Sequence, residues 1–130
     1  GVLEVIDIVR TERSWKLAIA TSSPTDKFHV TMQTAGISLD LFDTYVTGDM
    51  VANRKPDPEI FLKAVQTLGL SKDACVVIED SIAGVEAART AGIPCIAVTN
   101  TFSSRELGAA DIVVRSLLDI NLNMLRVLVP

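Results

Sequence analysis

Three places along the 130-residue chain carry side chains suited to an anionic oxygen ligand and a hard cation. They are the hydroxyls of Thr21 and Ser22, the ammonium of Lys55, and the adjacent carboxylates of Glu79 and Asp80. A hydroxyl beside the free N–H groups of a helix start binds phosphate oxygens, and a lysine supplies a compensating point charge. Paired acids at the end of a buried strand suit Mg²⁺, which takes oxygen ligands and retains some water and substrate phosphate. Each residue also has a plainer role when taken singly. Thr21 can simply end a strand, Lys55 can be a surface lysine, and Asp80 with Ser81 can cap the next helix. The order Thr, Lys before a helix, then Glu-Asp, each after its own apolar run, is what makes the set a candidate site.

Those apolar runs are short and β-branched: Leu17–Ala20, Tyr45–Thr47, Cys75–Ile78, Cys95–Val98 and Ile112–Val114. Between them lie amphipathic stretches with recognisable ends. Ser23 and Pro24 read as N-cap and first helical residue of a helix that Gly36 closes. Asp57 and Pro58 open the next, whose stripe of Ile60, Phe61, Ala64, Val65 and Leu68 stops at Gly69. Ser81 caps a third that ends at Gly92, and Ser103 with Glu106 stands at capping-box spacing for a short fourth. Residues 1–12 and 119–129 read as further helices. Strands alternating with helices predict right-handed crossovers and a parallel sheet covered on both faces, a Rossmann-like three-layer α/β/α fold in a single domain, residues 1–130. Ligands of such folds sit beyond the C-terminal strand ends, where the three candidate places fall.

Composition narrows the partners. Twelve Lys and Arg against sixteen Asp and Glu give a net charge of −4, which speaks against nucleic acid. No apolar run approaches the ~20 residues of a membrane span, and no signal-peptide pattern opens the chain. Cys75 and Cys95 lack metal or disulfide spacing and read as reduced core thiols of a cytoplasmic protein. His29 is the only histidine, with no nucleophile spaced for a triad.

The segments ATSSP, RKPDPEIF and VVIEDSIAGVEAARTAGI resemble the second, third and fourth motifs of the haloacid dehalogenase superfamily, in its β-phosphoglucomutase and phosphoglycolate-phosphatase-like branch. The resemblance runs from about Trp15 to the end of the chain. It implies a Mg²⁺-dependent phosphatase or phosphomutase acting on a small phosphorylated metabolite such as a sugar phosphate. Thr21 and Lys55 would hold the transferring phosphoryl group, and Glu79 and Asp80 would help to hold Mg²⁺. Residues 1–14 are similar to the helix that returns from the family's cap domain.

The family's first motif, an Asp-x-Asp supplying the nucleophile and the acid/base, has no match here. Asp7 lies in a helical pattern, Asp43 precedes a strand, and Asp57 with Glu59 sits at a helix start. The chain therefore resembles the C-terminal part of such an enzyme and is expected to lack aspartyl-phosphate catalysis by itself. In the family the missing strand runs between those corresponding to Leu17–Ala20 and Cys75–Ile78. Its absence predicts either a gap, open to self-association or another chain's strand, or direct pairing of the two neighbours. The alternative function is a non-catalytic truncated paralogue that binds phosphate or a protein partner. A receiver-type phospho-acceptor domain places its acids before the Thr and Lys, which excludes it.

Overall fold

A computed structural model describes residues 1–129. The chain alternates helices and strands: α1 (Val2–Arg10), β1 (Ala18–Ala20), α2 (Thr25–Ala35), β2 (Thr44–Val46), α3 (Glu59–Leu68), β3 (Val77–Glu79), α4 (Ile82–Ala91), β4 (Cys95–Val98), β5 (Ile112–Val114) and α5 (Leu122–Leu128). All ladders are parallel, as the crossovers require. The strands form two separate sheets, β1-β2 and β3-β4-β5. Of the two outcomes expected for the centre of the sheet, the structure has the gap.

The three layers follow from alternation along the strands. In β4, Cys95 and Ala97 face a core with Ile60, Phe61 and Ala64 of α3 and Val85, Ala88 and Ala91 of α4. Ile96 and Val98 face the opposite core with Val5 and Val9 of α1 and Leu125 of α5. Helix α1 buries Val5, Ile6 and Val9, one face of a 3.6-residue period, and places Glu4 in its first turn and Arg10 in its last. Helices α2, α3 and α4 end at Gly36, Gly69 and Gly92, each left-handed as the sequence predicts.

Several local expectations change. The Thr21 amide already pairs with the Val46 carbonyl and Thr44 opens the second strand, so β2 spans 44–46 rather than 45–47. The third strand starts two residues later than its apolar run, because residues 72–74 form a 3-10 turn and Val77 is the first to meet the Pro94 carbonyl. Glu79 is thus the last residue of β3. Helix α2 begins at Thr25 with Pro24 as its N-cap, and no side chain of that cap position contributes a bond. Ser103 and Glu106 do make their reciprocal bonds, but the segment forms turns instead of a helix. The final helix is preceded by a separate 3-10 turn at Leu117–Asp119.

Between the two sheets lies a cleft of about 440 Å³. Leu17, Ala18 and Ala20 line it from one sheet, Val76 and Ile78 from the other, and Phe61 from the helix layer. The Leu17 carbonyl and the Thr21 amide bond to the β2 side, so by the alternation of a parallel ladder the backbone groups of Ala18 and Ala20 point into the cleft. The Val77 amide bonds to the β4 side, which turns those of Ile78 toward the same space. The cleft is therefore bounded by two unpaired strand edges. No helix among the described residues is long and apolar enough to cross a membrane.

Candidate active site

Lys55 stands at the mouth of the cleft and joins its two sides. Its Nζ lies 2.5 Å from Glu79 Oε1 at the end of β3 and 3.5 Å from the carbonyl of Ala20 at the end of β1. The Phe61 ring lies beneath, 4.8 Å from Nζ to its centroid, an added attraction for the cation. Both side chains of the Lys55–Glu79 pair are only 10% exposed. Thr21 follows Ala20 directly, so the lysine connects the hydroxyl-bearing loop to the acids.

Glu79 is the most heavily bonded side chain of the site. Its Oε1 meets Lys55, while Oε2 accepts from the Asp80 amide (2.9 Å), the Ser81 amide (3.0 Å) and Ser81 Oγ (2.9 Å). Ser81 Oγ in turn accepts from the Gly84 amide at 3.0 Å, the helix cap expected from sequence. The carboxylate lies so close over the first turn of α4 that a Cβ on Gly84 would fall 2.1 Å from Glu79 Cδ. Only glycine admits that approach. Burial, the largest influence, pushes the Glu79 carboxyl pKa up. The Lys55 charge and the bonds from Lys55 and Ser81 together outweigh it, and the group sits below the ordinary carboxylate value.

Asp80 points outward and is exposed, with Thr101 Oγ1 donating to its Oδ2 at 3.2 Å. Its other oxygen has no bond from the described residues. Among the described residues no third His, Cys, Asp or Glu completes a cluster that could hold a metal ion. The chemistry of the donor set still fits Mg²⁺, which commonly uses one or two protein carboxylates and completes its shell with water and substrate phosphate.

The hydroxyl loop is also ordered by the chain itself. Thr21 Oγ1 accepts from the Ser23 amide at 3.2 Å, which leaves its O–H to donate outward. Ser22 is exposed and its amide has no partner among the described residues. Thr21, Lys55, Glu79 and Asp80 thus occupy one edge of the molecule, and Ser22 lies in the same loop as Thr21. Two contributors were not singled out from the sequence. Glu59 accepts from the Ala52 and Asn53 amides at 2.8 Å each and so fixes the loop that carries Lys55. Those amides, Ala52 first, hold its carboxyl below the ordinary value. Thr101 orients Asp80. The spacing of Glu59 after Asp57 was a visible signal, since an acid two residues on can fold back over the loop before it.

Known proteins place the chain. The profile described as haloacid dehalogenase-like hydrolase matches residues 1–98. A phosphorylated carbohydrates phosphatase of Thermotoga maritima is 45% identical over 96 residues, which is 72% of this chain and 42% of that protein. The crystal structure of CbbY from Rhodobacter sphaeroides in complex with phosphate superposes with a TM-score of 0.87 at 28% identity, covering 97% of this chain and 57% of the other. A β-phosphoglucomutase structure from Clostridium difficile gives a TM-score of 0.84 at 27% identity, over 98% and 54% of the two chains. The chain spans 10% of one curated relative and from 42% to 55% of three others. By its profile match, its relatives and its strand-end motifs, this chain belongs to the haloacid dehalogenase-like hydrolase family.

Proposed function

We propose that the chain forms the phosphate- and cation-handling part of a phosphatase or phosphomutase core acting on a small phosphorylated metabolite, sugar phosphates foremost. The observation that carries this reading is Lys55, placed between the Ala20 carbonyl beside Thr21 and the Glu79 carboxylate at the mouth of the cleft. In this reading Thr21 donates its hydroxyl, and Ser22 its amide, to phosphoryl oxygens. Lys55 sets its charge against the same group. Asp80 offers an oxygen to Mg²⁺, and Glu79 joins it only by yielding Lys55. Bound there, the metal would spread the charge that builds on a transferring phosphoryl group. Relatives named as a carbohydrate phosphatase and a phosphoglucomutase support the substrate class and leave both reaction outcomes in it.

The nucleophile belongs, in this reading, to a strand seated in the cleft between β1 and β3, carried by a part of the enzyme outside these 130 residues. Helix α1 would then lead back from a cap domain. A cytoplasmic protein with a phosphorylated metabolite as partner, and neither nucleic acid nor membrane, is the matching setting. The chain by itself would not turn over, and its open edges would favour self-association.

Grafting the N-terminal part of the Thermotoga phosphatase ahead of residue 1 tests the reading. The expected outcome is Mg²⁺-dependent phosphate release from sugar phosphates, reduced about ten- to a thousand-fold by Lys55→Ala and made less metal-dependent by Asp80→Ala. Full activity in both variants would remove the site assignment, and metal-dependent turnover by the clean ungrafted chain would overturn the role given to the cleft.

A further inference from the structure

The turn after β2 contributes no group to the site described above, yet it holds the hydroxyl loop at almost every residue. The Gly48 amide donates to the Ser23 carbonyl at 2.9 Å. The Thr25 amide donates to Asp49 Oδ2 at 2.7 Å. The hydroxyls of Thr25 and Thr47 pair at 2.7 Å, and Thr47, at 0% exposure, is the one fully buried polar residue among those described. A Cβ on Gly48 would lie 2.4 Å from the carbonyl oxygen of Ser22 and 3.0 Å from its carbon. Those are backbone atoms, so relief requires the two loops to separate.

We infer that Thr47, Gly48 and Asp49 are positioning residues that fix the loop Thr21–Thr25 in its anion-binding form. The inference rests on reading that loop as the phosphate site, and assigns the precision of the site to its neighbour. The physical reason is the small number of donors involved. Asp49 occupies the Thr25 amide, Pro24 has no N–H, and the Ser23 amide is spent on Thr21 Oγ1. The Thr21 hydroxyl and the Ser22 amide remain, and two donors grip an oxygen anion well only when held at a fixed angle. Pressing the Ser22 carbonyl against Gly48 sets the plane of the peptide that follows it, and pinning residues 23 and 25 prevents the loop from turning. Neither bond reaches the anion.

Titration of the 130-residue chain with inorganic phosphate, followed by amide NMR, tests this. In the wild type the Ser22 and Thr21 amides should shift with phosphate. Gly48→Ala should weaken that binding at least tenfold while β4 amides keep their hydrogen-exchange protection. Should Gly48→Ala not fold, Thr47→Val is the second variant: it keeps the shape, removes the hydroxyl that meets Thr25, and should weaken phosphate similarly. Thr47→Ser should restore the affinity, a rescue that loss of general stability does not predict. Wild-type affinity in folded Gly48→Ala and Thr47→Val would overturn the positioning role alone. No shift at Thr21 or Ser22 in the wild type would overturn the phosphate reading, and this inference with it.

Discussion

Strand β4 buries all four of its residues, whereas β1 buries none of its three. Both are short apolar runs, and neither composition nor length accounts for the contrast. Neighbours do. β4 has β3 on one edge and β5 on the other, with α3 and α4 above and α1 and α5 below. β1 has only β2, and its second edge opens on the cleft. A buried strand is made by what stands beside it, and the same run reads as core or as half-exposed edge according to whether one neighbour is present.

The largest effects should therefore fall on the three-stranded side. Ile96, fully buried in β4, should lose about 2–5 kcal/mol on truncation to alanine, because its cavity is closed on every side. Ile19→Ala in half-buried β1 should cost about 1 kcal/mol, since water already reaches the site. Urea midpoints with a common slope measure both. Equal losses would break the comparison, for they would mean that the two-stranded sheet is as tightly packed as its neighbour.

The Lys55–Glu79 pair spans the two sheets and comes next. Glu79→Gln replaces an acceptor with a donor opposite Lys55 or the Asp80 and Ser81 amides, and should cost about 1–3 kcal/mol at neutral pH. The pH dependence has a definite sign. Glu79 is held below its ordinary pKa when folded, so its stabilisation is complete above the unfolded value of about 4.3 and is lost as pH falls through the folded value. The gap between wild type and variant should hold from neutral pH down to about pH 5 and shrink below about pH 4. A constant gap throughout would mean that the charge on Glu79 contributes nothing.

Two helix starts sharpen the contrast at a smaller scale. Helix α4 is capped by Ser81, its own N-cap, and α2 by Asp49, which lies 24 residues beyond the amide it accepts from. Ser81→Ala and Asp49→Ala should each cost about 1 kcal/mol by thermal unfolding. Only the second should release exchange at the Thr25 amide, since that bond crosses between loops.

The same two caps show what can be read from sequence. Ser81 is legible because its partner is three residues away, and so are the alternation of strands and helices, the helix-closing glycines and the gathering of Thr21, Lys55, Glu79 and Asp80 at one edge. For α2 the sequence points to Ser23, the nearest suitable side chain, because no local rule links Thr25 to Asp49. Thr101 stays hidden as the partner of Asp80 for the same reason, its bond depending on how loops lie in space, whereas Glu59 bonds amides only six and seven residues before it. The Ser103–Glu106 spacing gave its bonds without its helix, for a capping box starts a helix only when an apolar stripe continues it. Family resemblance leaves two outcomes, a gap or direct pairing of the neighbours, and only the structure decides for the gap, since strand runs alone do not state which edges meet.

The smallest effect concerns the shell around the finished sheet. Arg126 of α5 reaches Glu12, 114 residues earlier, at 2.6 Å, tying the last helix to the turn after α1. The distance is short and the separation long, which invites reading it as a clasp. Exposure argues otherwise, with the arginine side chain 54% and the glutamate 26% accessible. In water the attraction is screened, and holding two long side chains still offsets most of it. Glu12→Ala should change stability by no more than about 0.5 kcal/mol, less in high salt. Leu125, fully buried one residue before Arg126, anchors that helix to the three-stranded sheet instead, and a loss on Glu12→Ala rivalling that of Ser81→Ala would mean that α5 is held by charge at its rim and not by the core it covers.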